Sequence, residues 1–222
     1  MSEQQVYLTQ QRLRSPRSAA IAGLIFSVLL GAIIIMIQIS FPADPVDFSG
    51  DWLEDNSNAV SLAIGLVPVA GLAFLWFMGV ARDLLGHLED QFFSTVFTGS
   101  GLLFLGMLFI WAAIGGTILI IHNENPEILI EGGFYKVGRI LMSEVIGVFA
   151  MSMAGAYVFS TGSIWLRTGV VPRWLAILTW GIAVVLWLSL FLSWWIRLAF
   201  PIWVFVVSVY ILAAGKPDLS SS

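Results

Sequence analysis

Glu144 stands inside RILMSEVIGVFAMSMAG, residues 139 to 155, a run that is otherwise apolar or small apart from its first arginine and two serines. A carboxylate within a membrane-spanning helix is by default a candidate for proton or ion handling, because hydrocarbon disfavours its charge. Two cations bear on its state. Arg139 and Arg197 are expected on the same outer side, and pairing with either would favour the ionised form. If the span begins near Gly138, Glu144 lies about six residues inside, roughly 9 Å along the axis. Two roles stay open, the coupling group of a carrier or an anchor that holds helix ends together, and the shallow depth favours the anchor.

Little else in the chain could do chemistry. It has no cysteine, so disulfides, thiolate metal sites and cysteine nucleophiles are excluded. Its only histidines, His87 and His122, are expected in loops on opposite faces, which rules out an internal bis-histidine haem. Lys136 and Lys216 are expected outside the hydrocarbon, where neither could carry a buried Schiff base. GSGLLFLG, residues 99 to 106, lacks the strand, lysine and hydroxyl of a phosphate loop, and its glycines read as close helix contacts. No cofactor is expected, and no nucleic acid partner.

Two polar loops carry residue types that can ligate a metal. FPADPVDFSGDWLEDNSN, residues 41 to 58, has Asp47, Ser49 and Asp51 at alternate positions, as in a calcium loop. It departs from that pattern at Trp52, where a glycine must turn, and at Asn58, where a bidentate glutamate is required. A solvated acidic loop is expected instead. HNENPEILIEGGFYKVGR, residues 122 to 139, places Gly132-Gly133 between two β-prone runs, which suits either a small hairpin or a flexible loop. His122 and Glu124 at its start are a weak pair, so no metal is expected.

The elements that position these residues follow from composition. The 222 residues are 59% hydrophobic and 11% charged, with mean hydropathy +0.92. Continuous apolar runs reach the roughly 20 residues that cross a bilayer as a helix, whereas a barrel strand would alternate. The predicted fold is all-α, a polytopic transmembrane bundle of six spans at about 18–40, 59–81, 97–121, 138–161, 174–193 and 198–214. Residues 1–17 and 215–222 are expected as tails, and the first span is too long for a signal-peptide core, so it is expected to be retained. Basic residues set the orientation. With both termini inside, Arg12, Arg14, Arg17, Arg82, Arg167, Arg173 and Lys216 lie in the cytoplasm, and only Lys136, Arg139 and Arg197 lie outside.

Packing signals are clearer than chemical ones. Ser143, Gly147, Ala150 and Ala154 recur at spacings of four, three and four, a small-residue stripe that admits a second helix, preferably of the same chain. Pro68 in IGLVPVAGLAF is expected to kink the second span, and Pro201 falls early enough in the last span to be tolerated. Of ten tryptophans, Trp52, Trp165, Trp174, Trp194 and Trp195 fall at predicted boundaries and read as interfacial anchors. Trp76, Trp111, Trp180, Trp187 and Trp203 lie deeper, as contacts to lipid or other helices.

The segment STGSIWLRTGVVPRWLAILTWG, residues 160 to 181, reads physically as a topology lock. Arg167 closes one span and Arg173 opens the next on the side with anionic headgroups. Gly169 permits the turn, Pro172 suits a helix start, and Trp174 lies at headgroup depth. Its pattern Leu-x-Arg-x-Gly-x-x-Pro-Arg-Trp-Leu, carried by Arg167, Gly169, Pro172, Arg173, Trp174 and Leu175, resembles the inner loop of a family of uncharacterised bacterial six-span membrane proteins. The opening AAIAGLIF resembles the same family, and together the likeness covers about a quarter of the chain. It implies the six-span topology and a bacterial inner membrane, and it brings no catalytic residues.

The expected function is that of a non-enzymatic structural or accessory membrane protein, in contact with lipid and with other membrane subunits or a second copy of itself. The alternative is a small transporter or proton-linked carrier using Glu144.

Overall fold

In hydrocarbon a backbone must satisfy its own hydrogen bonds, and a helix does so segment by segment. The computed structural model describes residues 16–40, 51–85, 91–169, 171–188 and 194–214, and no strand occurs among them. The elements are α1 (Pro16–Ser40), α2 (Asp51–Leu85), α3 (Gln91–Glu124), α4 (Pro126–Glu131) and α5 (Phe134–Glu144). A π-helical turn (Val145–Ala150) leads into α6 (Met151–Thr168), followed by α7 (Arg173–Trp187), a 3-10 turn (Trp194–Leu198) and α8 (Ala199–Ala214).

Among the described residues, five stretches are long and apolar enough to cross a membrane: Arg17–Ser40, Asn56–Gly79, Thr95–Glu124, Phe134–Thr168 and Trp195–Ala213. They mark the chain as a helical membrane protein. The expected span at 174–193 differs. Its helix α7 has 15 residues, about 22 Å at 1.5 Å per residue, short of the roughly 30 Å hydrocarbon core. Residues 189–193 lie outside the described residues, as do both tails beyond Ser15 and Ala214.

Several helices overrun their predicted limits and consume the loops. Trp52 to Asn58 form the first turns of α2, not a loop, while Asp44, Asp47 and Ser49 lie outside the described residues. His122 belongs to the last turn of α3, where its side chain is buried; His87 lies outside the described residues. Neither a hairpin nor an irregular loop forms at 122–139. Asn125 Oδ1 accepts the Ile128 N–H at 3.2 Å, Pro126 occupies the first helical position, and ILIE becomes α4. Gly133 takes the left-handed turn, φ 69°, which its sequence permits, but it joins helix to helix. The Asn-Pro start signal outweighed the β-prone side chains.

The helices close around a centre of aromatic rings. α1 packs between α2 and α8, α3 against α2 and α6, and α7 mainly on α6. Phe26, Phe74, Phe104, Tyr157 and Phe200, one from each of α1, α2, α3, α6 and α8, are buried together. Ring centroids lie 4.7 Å apart for Phe26 and Phe74, 4.8 Å for Phe104 and Phe200, and 5.4 Å for Phe74 and Tyr157, mostly tilted or edge-on. Such pairs contribute about 0.5–1.5 kcal/mol each beyond their burial. Between helices in lipid this matters, because tails are as apolar as leucine and shape fit replaces the hydrophobic drive.

Hydroxyls inside the helices are mostly satisfied locally. Ser160, Thr161, Ser163, Thr168 and Thr179 each donate to the carbonyl four residues back, at 2.8–2.9 Å. They are therefore compatible with apolar surroundings without forming a polar path.

Candidate functional site

α5 begins at Phe134 rather than near Gly138, so Glu144 lies ten residues into the helix, about 15 Å along the axis. It ends the regular helix and is followed at once by the π-helical turn. Helical spacing sorts α5 into three strips. Tyr135, Gly138 and Met142 are buried, and the last two meet Ile118 and Gly115 of α3. Val137, Ile140, Leu141 and Glu144 face outward and are exposed. Between these strips, Lys136, Arg139 and Ser143 follow one another at spacings of three and four along one edge.

Arg197 arrives at that edge from the 3-10 turn. Its Nη2 donates to Ser143 Oγ at 3.3 Å, so the described contact is to the hydroxyl and not to the Glu144 carboxylate. The guanidinium lies on Gly147: a Cβ built there would stand 3.0 Å from Nη2 and 3.6 Å from Cζ and Nε. The small-residue stripe thus has two uses. Ala150 and Ala154 are wholly buried within the chain, while Gly147 makes room for a cation rather than for a helix backbone. A π-helical turn inside an α-helical rod often accompanies a functional site, and here it spans Gly147 itself.

The opposite end of α6 carries Arg167 and the glycine stop that precedes α7. Gly169 adopts φ 66°, its N–H reaching Trp165 O at 3.0 Å, and Leu175 N–H reaches Pro172 O at 3.0 Å to open α7. Arg167, Arg173 and Trp174 are exposed there, where headgroups could reach them. Trp165 departs from its expected role: its ring is 7% exposed and lies 6.2 Å from Trp203 inside the bundle. Pro68 lies within an uninterrupted α2 and lines a shallow apolar groove of about 580 Å³ against Phe109, Gly116 and Thr117 of α3.

Sequence reasoning overlooked a second matched pair. Gly155 and Gly162 of α6 are overlaid by Trp187 and Trp180 of α7; a Cβ on them would approach the indoles to 2.7 and 2.6 Å. Trp187 Nε1 also donates to Ser152 O at 3.1 Å. The signal was present as two glycines and two tryptophans, each seven residues apart.

Comparison with protein-family models, with curated proteins and with solved structures found no match. The chemistry must be read from this chain alone. Among the described residues no three His, Asp or Glu side chains converge to hold a metal. The edge of α5 with Arg197 offers charge and hydrogen bonds, which suit binding and helix positioning.

Proposed function

We propose that this chain is a non-enzymatic structural or accessory protein of a bacterial inner membrane, a six-span bundle with both termini in the cytoplasm. The observation that carries this reading is the filled centre, where buried rings from five helices interlock along the axis that a transport path would need. Glu144 adds to it. The carboxylate faces away from that axis, among Val137, Ile140 and Leu141, and a charge on an apolar flank favours cover by a partner subunit or a second copy. The loop at 165–175 supports the cytoplasmic placement of its arginines and the kinship with uncharacterised six-span proteins.

Two measurements test the reading. Gentle solubilisation followed by mass measurement should give an assembly, and a monodisperse lone monomer would count against it. Reconstituted in liposomes, the protein should sustain no proton or solute flux. A flux that disappears in Glu144→Gln would replace this reading with a carrier that uses an outward-facing carboxylate.

A further inference from the structure

Arg197 is a half-buried guanidinium in an apolar bundle. Its hydrogen bond goes to the neutral Ser143 hydroxyl, at the long distance of 3.3 Å, while its plane rests on Gly147. Arg139, one helical turn before Ser143 on the same edge of α5, brings a second positive charge. Lys136 continues the same edge outward. Removing a guanidinium from water is costly unless an anion and enough acceptors complete it. A guanidinium carries five N–H donors in a planar fork, and one hydroxyl occupies one of them.

A tetrahedral oxyanion meets these requirements together. It can accept two parallel bonds from Arg197, take a second cation in Arg139, and receive the Ser143 hydroxyl proton. We propose that Arg197, Arg139 and Ser143 form a binding site for a phosphate group, carried by a phospholipid headgroup or present as the free ion. The site lies where the 3-10 turn meets α5, and Gly147 is its floor. A side chain at residue 147 would push the guanidinium out of the position from which it reaches Ser143. Trp195, exposed beside Arg197 in the same turn, suits the interfacial depth at which headgroup phosphates lie.

The test uses the full chain purified in a phosphate-free maltoside detergent. Wild type, Arg197→Gln, Arg139→Gln, Arg197→Lys and Arg17→Gln are titrated with phosphatidylglycerol, with inorganic phosphate and with diacylglycerol. Adducts are counted by native mass spectrometry. The expected result is saturable phosphatidylglycerol binding to wild type, weakened about tenfold or more by either glutamine substitution and partly kept by lysine, which retains charge without the fork. Arg17→Gln, at the start of α1 and away from the α5 edge, should bind as wild type, and diacylglycerol should not distinguish the variants. Competition by millimolar inorganic phosphate identifies the free ion as sufficient; its failure assigns the site to lipid. Equal binding by wild type and Arg197→Gln, equal loss in Arg17→Gln, or no retention of either phosphate source by wild type would each overturn the proposal. Should the glutamine variants not fold, Gly147→Ala together with Arg197→Lys reads the same site, and undiminished binding in both would overturn it.

Discussion

The indole N–H of Trp203 donates to Thr179 Oγ1 at 3.1 Å, and that hydroxyl donates in turn to Leu175 O at 2.8 Å, which ties α8 to α7 through a buried relay. Both side chains are almost wholly buried, so neither can turn to water for a replacement. Thr179→Val keeps the shape and removes the acceptor. It should lower stability by about 1–3 kcal/mol, the cost of an orphaned buried donor, while Thr179→Ser recovers most of the loss. Chemical unfolding in detergent micelles checks this, and a neutral Thr179→Val would show that the relay contributes nothing.

The tryptophans of α7 rest where Gly155 and Gly162 have no side chain. Gly155→Val and Gly162→Val should each destabilise by about 1–3 kcal/mol through overpacking against the Trp187 and Trp180 indoles. Combining Gly155→Val with Trp187→Ala should restore part of the loss, because the intruding group then has space. Additive losses in the double variant would separate the two residues.

Phe74 touches rings from α1, α3, α6 and α8. Phe74→Ala should cost about 3 kcal/mol, at the lower end for buried phenylalanine, since lipid rather than water surrounds the separated helices. The midpoint of thermal aggregation should fall accordingly. A change below the experimental scatter would mean the centre is looser than its ring distances imply.

Two glycines make a matched comparison. Gly133 needs φ 69°, so Gly133→Ala should cost about 1–2 kcal/mol. Gly65, inside α2 with open space around a built Cβ, should accept alanine with a gain of about 0.5–1 kcal/mol. The same thermal assay reads both, and effects of equal sign would contradict the backbone assignment.

Much of the architecture was legible because length and continuous apolarity are local properties. The first three long apolar helices follow from them, while the stop at Gly169 and the start after Pro172 follow from the backbone preferences of glycine and proline. Which face of a helix meets protein was not legible. Lipid and neighbouring helices are equally apolar, so hydropathy gives no phase, and Trp165 turned inward where a boundary role was expected. The α4 helix was hidden because ILIE favours a strand by side chain while Asn125-Pro126 favours a helix by its start. Arg197 meets α5 at Ser143 rather than at Glu144, a difference of residues one position apart, about 100° around a helix.

The rod from Phe134 to Thr168 holds one residue more than a regular α-helix needs at Val145–Ala150. In most helices, deleting one position turns everything beyond it by about 100°. Here the surplus absorbs the deletion: removing Val148 would convert the wide turn to a regular one with the strips of α5 and the glycines of α6 still in phase. The bundle should keep its helix contacts after that deletion, and lose them after deletion of Met153, five residues further on.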